Sequence, residues 1–396
     1  MNRFNPEDLT HADLVVGIQT KNHVDTLPQV VGAIAKGLQN YFPDFISAII
    51  NIDGSLQDET RTAFLSTGTA VPKIYFSCPD NMIGRGKQIY LLLKEMLRLN
   101  ARATVVIDLN SASITPEWVR ELATPILYGY DFVTPVYSSL EPDDSVGSNV
   151  CYPLIYGLLG KDIRNPSSGD IALSADLAEY CLSQTWSDAA QNHGVDIFMT
   201  LQAVLGKFEC CQVALGSKLA KSPKENFSMR HSQIVEVLFQ TLLANKNSWL
   251  APVDVKDFRL FGEMKTDLMK SAVHLNDMAS TAIKEFQQNR HLLESVLDQN
   301  LFARLREMYD CRSVIIDSQM WMQILYESLY HYDKTDLGCQ LIKSLEALYI
   351  GRLITLLQES AETEGVLEKL IKKQAECFYK FRNLLTQKYE YQLAVA

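Results

Sequence analysis

The stretch Met82–Tyr90 reads MIGRGKQIY, and it is followed by the helix-like sequence LLLKEMLRLNAR and the apolar strand candidate ATVVI at residues 103–107. Two glycines flank Arg85, so the backbone can approach a ligand while the cations of Arg85 and Lys87 face it. A helix that begins here presents N–H groups that favour anions. The strand is followed by Asp108, at the edge where open α/β sheets bind their ligands. The stretch therefore predicts a diphosphate site beside an acidic strand end.

Short apolar runs alternate with helix-like segments in the first half of the chain. The strand candidates are residues 14–18, 45–52, 71–77, 103–107, 131–137, 171–174 and 211–215. Apolar runs of this length, separated by amphipathic helices, are typical of a parallel sheet that is covered on both faces. We therefore predict an α/β domain over residues 1–225.

From about Ser228 onward, apolar residues recur at helical spacing and strand-like alternation nearly disappears. We predict long amphipathic helices over Lys256–Tyr309, Ser318–Tyr332 and Leu337–Tyr389, which together form a helical C-terminal domain over residues 226–396. The faces of these helices mix acidic and basic residues, which does not suit a membrane surface. The long apolar stripes suit a packing domain, and they also favour a homodimer.

The composition excludes several classes of protein. With 396 residues, 47% apolar and 21% charged, the chain is typical of a globular protein with two domains. A net charge of −10 argues against a nucleic-acid partner. Because the sequence contains neither a membrane-length apolar run nor a signal-peptide core, we expect a cytoplasmic protein without a transmembrane segment. The eight cysteines form no CxxC pair, so we expect reduced thiols.

Seven short blocks follow one another in a family-specific order: VVGIQTKN, NIDGSLQDET, GRGK, DLNSASITPEW, NPSSGD, NHGVDIFMT and QVALGSK. In this order they make the first 225 residues resemble a GT-A glycosyltransferase of the family-2-like type. The glucosyl-3-phosphoglycerate, glucosylglycerate and mannosylglycerate synthases, which make compatible solutes, are of this type. The resemblance implies a Rossmann-like nucleotide-sugar-binding domain. It also implies transfer of a hexose from a UDP-, GDP- or ADP-sugar to a small, glycerate-like acceptor, with retention of the anomeric configuration.

The resemblance assigns the donor to residues near three strand ends. It places the base and ribose near Gln19, Asn22 and Asp53, and the diphosphate near Gly84, Arg85, Gly86 and Lys87. Arg85 stands where the family has a lysine, so a planar fork replaces a point charge. Two other interpretations stay open, because Asp53 also suits a tight turn and the GRGK block also suits a solvated loop.

The resemblance further implies a divalent metal, Mg²⁺ or Mn²⁺, at Asp108-Leu109-Asn110, where the family has an Asp-x-Asp motif. Asn110 offers an oxygen without a charge, which lowers the affinity for such an ion. Ala220 stands where the relatives carry a histidine ligand. Three interpretations follow. Cations replace the metal, with Arg85, Lys87, Lys218 and Lys221 as candidates; another ligand such as His193 or His231 takes part; or the chain has lost transferase activity and is a nucleotide-sugar-binding or partner-binding module.

The remaining candidates concern the sugar and the acceptor. By the resemblance, Asp170 contacts sugar hydroxyls while Gly169 lets the backbone approach, and Asp196 lies near the acceptor hydroxyl and the anomeric carbon. A helix-entry turn and an N-terminal helix carboxylate are the structural alternatives for the two acids. Asn149 and Arg164 are the acceptor candidates, since an arginine can clamp a carboxylate with two hydrogen bonds. A nucleotidyltransferase is a weaker alternative, because no Gly-rich loop follows the first strand.

Overall fold

The chain divides into two compact units that exchange segments. The structure is a computed structural model that describes residues 2–56, 59–79, 84–109, 113–138, 146–218, 227–263, 275–361 and 366–395. The α/β unit contains residues 1–141, 165–224 and 258–267, and the helical unit contains residues 142–164, 225–257 and 268–396. The boundary predicted between residues 225 and 226 lies next to residue 224, where one segment of the α/β unit ends and the chain continues into the helical unit. Residues 142–164 belong to the helical unit although they precede this boundary, and residues 258–267 belong to the α/β unit although they follow it.

The secondary structure is as follows. The strands are β1 (Asn2–Phe4), β2 (Leu14–Thr20), β3 (Ser47–Asp53), β4 (Lys73–Ser77), β5 (Ala103–Ile107), β6 (Phe132–Tyr137), β7 (Lys161–Asp162), β8 (Ile171–Ser174), β9 (Cys210–Gly216), β10 (Lys256–Asp257) and β11 (Leu260–Phe261). The helices are α1 (Leu27–Tyr41), α2 (Glu59–Ser66), α3 (Arg85–Arg98), α4 (Pro116–Leu127), α5 (Tyr152–Leu154), α6 (Ala175–Ser183), α7 (Val195–Leu205), α8 (Phe227–Ala244), α9 (Asn247–Leu250), α10 (Leu275–Val296), α11 (Gln299–Asp310), α12 (Ser318–Lys334), α13 (Gly338–Ala361), α14 (Val366–Lys380) and α15 (Asn383–Val395). Two π-helical turns, Gly147–Cys151 and Ile155–Leu159, flank α5.

Within the described residues of the α/β unit, nine strands form one sheet in the order β1-β4-β3-β2-β5-β8-β6-β9-β11. The pairs β2/β3, β3/β4, β2/β5 and β6/β9 are parallel, as the apolar runs predict. Strand β8 instead runs antiparallel to β5 and β6, so the sheet is mixed. The predicted fold class, an α/β domain followed by a mostly helical region, is confirmed.

Helices cover both faces of the sheet. Val16 and Ile18 belong to the core cluster under α1 and α4, whereas Gly17 faces the side chain of Leu92 on α3. Because successive strand residues point to opposite faces, α3 packs on the face opposite α1 and α4. Every residue of β2 is buried, which explains its continuous apolar sequence.

The helical unit packs around α13, which contacts α8, α10, α12 and α14. The helix predicted over Ser318–Tyr332 is confirmed as α12. The helix predicted to begin at Lys256 is wrong at its start, because residues 256–257 pair with β7 and residues 260–261 pair with β9. Among the helices of the described residues, none has the length and apolarity needed to cross a membrane. Five of the eight cysteines are buried, and Cys311 and Cys339 are exposed.

A buried histidine in α8 makes the helical unit sensitive to acid. Burial lowers the pKa of His231 to about 4, and its ring lies 4.9 Å from the Tyr349 ring. Below pH 6.5 the unfolded chain takes up a proton that the folded chain refuses, so stability falls as the pH falls. We expect this histidine to remove roughly 3 kcal/mol of unfolding free energy between pH 7 and pH 4.

The test compares urea unfolding of His231→Phe and the parent across that pH range. The variant keeps a ring against Tyr349 and should show a flatter pH profile. His291→Phe is the matched control, because His291 is exposed. If His231→Phe and the parent lost stability equally as the pH falls, His231 would not be the cause of the acid sensitivity.

Candidate functional site

The strand order creates a crevice at the carboxyl end of β2. From β2 the chain runs to β3 and β4 on one side, and it returns to β5 on the other side of β2. Open α/β sheets bind ligands at such a reversal, because the loops on its two sides diverge. Gln19 and Thr20 end β2, Asp53 ends β3, and Asp108 follows β5. The predicted polar residues therefore meet at one edge of the sheet.

Arg85, the first residue of α3, forms hydrogen bonds to several segments at this edge of the sheet. Its Nε and Nη2 donate to the carboxylate of Asp196 at 3.0 Å each. Its Nη1 donates to Gln19 Oε1 at 2.9 Å, and Nη2 also donates to the carbonyl of Gly169 at 3.0 Å. Burial acts to lower the pKa of Arg85, but the charges of Asp196, Asp108 and Asp170 outweigh it and raise that pKa above its usual value. The guanidinium therefore stays charged and ties four segments together.

Asp170 forms a second charged cluster beside the first. Its carboxylate is fully buried, and Oδ2 accepts from Lys218 Nζ at 2.8 Å and from the Tyr137 hydroxyl at 2.5 Å. Its Oδ1 accepts from the backbone N–H of Asp108 at 2.8 Å. Lys218 Nζ also lies 3.5 Å from Asp108 Oδ2. With both oxygens engaged, Asp170 positions Asp108 and Lys218 in this structure.

Gly169 is the point where the two clusters meet. A Cβ atom on Gly169 would lie 2.9 Å from Arg85 Nη2 and 3.2 Å from Asp108 Oδ2. Only a glycine allows both side chains to come this close to the backbone. Arg85 and Asp108 thus both lie against Gly169, and their role in one binding site stays a prediction.

We expected the backbone N–H groups at the start of α3 to be free to bind an anion, and this expectation is wrong for two residues. Gly86 N donates to the carbonyl of Asn192 at 3.1 Å, and Lys87 N donates to the carbonyl of Gln191 at 2.9 Å. Gly84 has a φ of +150°, and a Cβ there would lie 2.7 Å from Asn192 Oδ1. The two glycines thus admit the segment that precedes α7. They do not leave these amides open to an anion.

We expect Gly86→Ala to destabilise the α/β unit by about 3 kcal/mol. A Cβ on Gly86 would lie 2.0 Å from the carbonyl oxygen of Ala190, a backbone atom that cannot rotate away. The matched control is Gly32→Ala in α1, where nothing lies within 4 Å of the added Cβ. That control should gain about 0.5–1 kcal/mol from reduced backbone freedom. Urea unfolding measures both, and equal stability of the two variants would refute the packing argument.

Asp53 and Asn22 hold the loop beside β2. Asp53 is buried, and its Oδ1 accepts from Thr20 Oγ1 and Ser55 Oγ at 2.7 Å each, while Oδ2 accepts from the Tyr75 hydroxyl at 2.6 Å. Asn22 has a φ of +59°, and its N–H donates to Ser55 Oγ at 2.8 Å. The Asp53 carboxylate therefore organises the ends of β2 and β3, as the turn interpretation expects.

A cavity of about 320 Å³ opens next to this loop. It is lined by Asn22, Val24, Asp25, Glu59 and Thr60. Polar side chains on both sides of an apolar residue suit the hydrogen-bonding edges of a planar heterocycle. Of the three residues predicted to hold the base and ribose, Asn22 lines this cavity, and their role stays a prediction.

The described residues do not fit a divalent metal at Asp108. Mg²⁺ and Mn²⁺ need several oxygen ligands at about 2.0–2.2 Å, and carboxylates are the preferred ones. The Asp108 and Asp170 oxygens that face one another are occupied by the Lys218 ammonium, which donates and has no lone pair to offer. In the part of the chain that the structure describes, His, Cys, Asp and Glu form no group of three suited to a metal. Asn110, Ala220 and Lys221 lie outside the described residues.

The acceptor candidates belong to the helical unit. Asn149 is fully buried, its Oδ1 accepts from Gln374 Nε2 at 3.3 Å, and its carbonyl accepts from Trp321 Nε1 at 2.6 Å. Arg164 Nη2 donates to Glu368 Oε2 at 2.8 Å. His231 is buried in the same unit. Asn149 and Arg164 thus have structural partners, and their acceptor role stays a prediction.

Tyr137 is a site residue that sequence reasoning missed. It ends β6, lies 5.2 Å from Lys218 Nζ through its ring, and donates to Asp170. Burial and the charge of Asp170 raise the pKa of Tyr137 well above its usual value, which keeps the hydroxyl protonated as a donor. Its signal in the sequence was a tyrosine at the carboxyl end of a predicted strand.

Comparisons with known proteins found similarity to solved structures only. No family model matches the chain, and no curated protein matches it. Glucosyl-3-phosphoglycerate synthase from Mycobacterium tuberculosis, in complex with Mn²⁺, UDP and phosphoglyceric acid, is 23% identical over 58% of this chain and 78% of that chain, with a TM-score of 0.47. Its complex with Mn²⁺, UDP and glucosyl-3-phosphoglycerate is 21% identical over 58% and 80%, also at 0.47. A structure described as a mycobacterial protein is 20% identical over 58% and 74%, at 0.46. At these values the function has to be argued from the chemistry of the site itself.

Proposed function

We propose that this protein is a glycosyltransferase that takes a hexose from a nucleoside-diphosphate sugar. The observation that carries the proposal is the convergence of Arg85, Asp108 and Lys218 at the strand-order reversal, with Gly169 between them. Fixed cations at such a crevice stabilise the charge that develops on a leaving diphosphate. The seven ordered sequence blocks support the same function.

In the proposed reaction the bond between the anomeric carbon and the diphosphate oxygen breaks, and its electron pair leaves with the nucleoside diphosphate. The acceptor hydroxyl oxygen bonds to the anomeric carbon, and its proton passes to the departing diphosphate oxygen. Positioning and electrostatics supply most of the catalysis. Arg85 and Lys218 stabilise the leaving group, and Asp196, which pairs with Arg85, would steady positive charge on the sugar ring. Asp170 acts as a positioning residue for Asp108 and Lys218.

The nucleoside would occupy the cavity at Asn22 and Thr60. Asp53 would act on it through Thr20 and Ser55, whose hydroxyl groups it holds. Gln19 would contribute indirectly, by accepting a hydrogen bond from Arg85. An acidic, glycerate-like acceptor, with Arg164 as its carboxylate clamp, and retention of configuration complete the proposal. A homodimer through the helical unit and a cytoplasmic location remain expectations.

One observation favours a second candidate, a non-catalytic nucleotide-sugar-binding or partner-binding module. Asp108, Asp170 and Asp196 already surround the Arg85 and Lys218 cations. Since three acids oppose two cations, the cluster itself is not positive. A diphosphate has to compete with these acids for the cations, which weakens donor binding and turnover relative to an open cationic site.

The two candidates separate in one series of measurements. Calorimetry with UDP-, GDP- and ADP-glucose reports donor binding, and release of the nucleoside diphosphate in the presence of glycerate or 3-phosphoglycerate reports transfer. Release with formation of a glycoside supports the transferase. Binding without release supports the module, and failure of all three donors to bind would reject the transferase and the nucleotide-sugar-binding module.

A further inference from the structure

We propose that the ammonium group of Lys218 takes the place of a divalent cation between Asp108 and Asp170, so that donor binding at this site is independent of divalent metal. The inference rests on the proposed function only where it concerns the donor. The assignment of the cation position itself follows from the described residues alone.

The first argument is the position of the ammonium group. Lys218 Nζ lies 2.8 Å from Asp170 Oδ2 and 3.5 Å from Asp108 Oδ2. A cation that bridged these two oxygens would have to lie where the ammonium group lies. A metal ion cannot share that space with a charged amine, because both carry positive charge and the amine offers no electron pair.

The second argument is that the lysine is held in place. Its side chain is 5% exposed, and the Asp170 side chain is 0% exposed. Nζ lies 5.2 Å from the centre of the Tyr137 ring, and the Tyr137 hydroxyl donates to the same Asp170 oxygen. A buried ammonium that is paired and placed over an aromatic ring is stabilised in its charged form. Lys218 is therefore a permanent part of the site.

The third argument comes from the two residues that would otherwise complete a metal site. Residue 110 is an asparagine and residue 220 is an alanine, so neither supplies a charged or imidazole ligand. The acids that remain are Asp108 and Asp170, and the Lys218 ammonium already pairs with both of them. The loss of ligands and the presence of Lys218 on the remaining acids point to the same replacement.

The replacement has a consequence for the donor. An ammonium group brings one positive charge and three N–H donors, whereas a divalent ion brings two charges and a set of coordination sites. Two of the directions around Nζ are taken by Asp170 and Asp108. Donor affinity should therefore be modest and unaffected by chelators.

The experiment begins with the unaltered protein. After treatment with EDTA, calorimetry with the UDP-, GDP- and ADP-glucose donors should give the same dissociation constant as in 5 mM Mn²⁺, within about threefold. Titration of Mn²⁺ alone should give no specific binding. Donor binding that requires Mn²⁺ would overturn the inference and leave the proposed function intact.

Two variants make the test specific. Lys218→Met keeps the length of the side chain but removes its charge, and it should weaken donor binding by about 10- to 100-fold in EDTA. Lys218→Ala vacates the position between the two acids, so Mn²⁺ should then bind and restore part of the donor affinity. Lys36→Met, an exposed lysine on α1, is the matched control and should change neither measurement.

The outcomes remain separable if one part fails. If no donor binds to any form, the proposed function is rejected, and Mn²⁺ titration alone decides the inference. Gain of a Mn²⁺ site in Lys218→Ala then supports the assignment. Binding of Mn²⁺ to the unaltered protein with the same affinity as to the variant refutes it. If the variants do not fold, the comparison of EDTA with Mn²⁺ in the unaltered protein still decides the matter for the donor.

Discussion

Replacement of Arg85 with methionine is expected to destabilise the α/β unit by about 3–5 kcal/mol, because it breaks the ion pair of Arg85 with a buried carboxylate. The side chains of Arg85 and Asp196 are 17% and 12% exposed, so water replaces little of the lost interaction. The same change removes the donors to Gln19 Oε1 and to the carbonyl of Gly169. Urea unfolding gives the free energy, and hydrogen exchange in α3 and α7 shows that the loss is in this unit.

The double variant Arg85→Met with Asp196→Asn makes this prediction sharper. Removing the second charge should return part of the lost stability, because an uncharged amide is less costly to bury than an unpaired carboxylate. Arg102→Met, which replaces an exposed arginine of the same unit, should change the stability by less than about 0.5 kcal/mol. If the double variant is less stable than Arg85→Met, the ion pair is not the source of the effect.

Arg85→Lys tests the functional side of the same residue. A lysine keeps the charge but cannot reach Asp196, Gln19 and Gly169 at once, because it lacks the planar fork. We expect a smaller loss of stability than for methionine and a clear loss of donor affinity. A lysine variant that binds the donor as well as the parent would show that Arg85 acts only through its charge.

The sequence predicted much of the α/β unit because its signals are local. Apolar runs such as LVVGI and ATVVI are long enough to identify buried strands, and both are found close to their predicted bounds. The direction of β8 was not predictable, because it depends on where residues 165–170 return to the sheet. The exchange of residues 142–164 and 258–267 between units is equally non-local, since it is set by packing over the whole chain.

The candidate site shows the same division. Local patterns named Arg85 and Asp108, because helix starts and strand ends are readable from sequence, and the family resemblance named Asp170 and Asp196. The sequence could not assign partners, since Arg85 and Asp196 are 111 residues apart in sequence. The glycines around Arg85 were interpreted as space for a phosphate, whereas they admit the carbonyl groups of Ala190 and Gln191. The glycines indicate that some group lies close to the backbone, but the sequence does not indicate which group it is.

In the helical unit, Arg352→Met is expected to cost about 3–5 kcal/mol, because it breaks a buried polar network. Arg352 is 0% exposed, and its Nε donates to Gln374 Oε1 at 2.7 Å while Nη1 donates to the carbonyl of Ile316 at 2.9 Å. Gln374 in turn donates to Asn149 Oδ1 at 3.3 Å. Without the arginine, two buried acceptors lose their donors, and each unsatisfied group costs about 1–3 kcal/mol.

The measurement is urea unfolding, with hydrogen exchange in α13 and α14 to locate the change. Arg306→Met replaces an exposed arginine on α11 and should be neutral. The double variant Arg352→Met with Gln374→Leu removes donor and acceptor together, so it should recover part of the loss, since an apolar pair leaves fewer unsatisfied groups than a broken network. Recovery would also show that loss of the hydrogen bond between Gln374 and Asn149 costs less stability than leaving Gln374 without Arg352. If Arg352→Met alone is as stable as Arg306→Met, the network does not stabilise the unit, and the buried position of Asn149 must depend on its carbonyl bond from Trp321 instead.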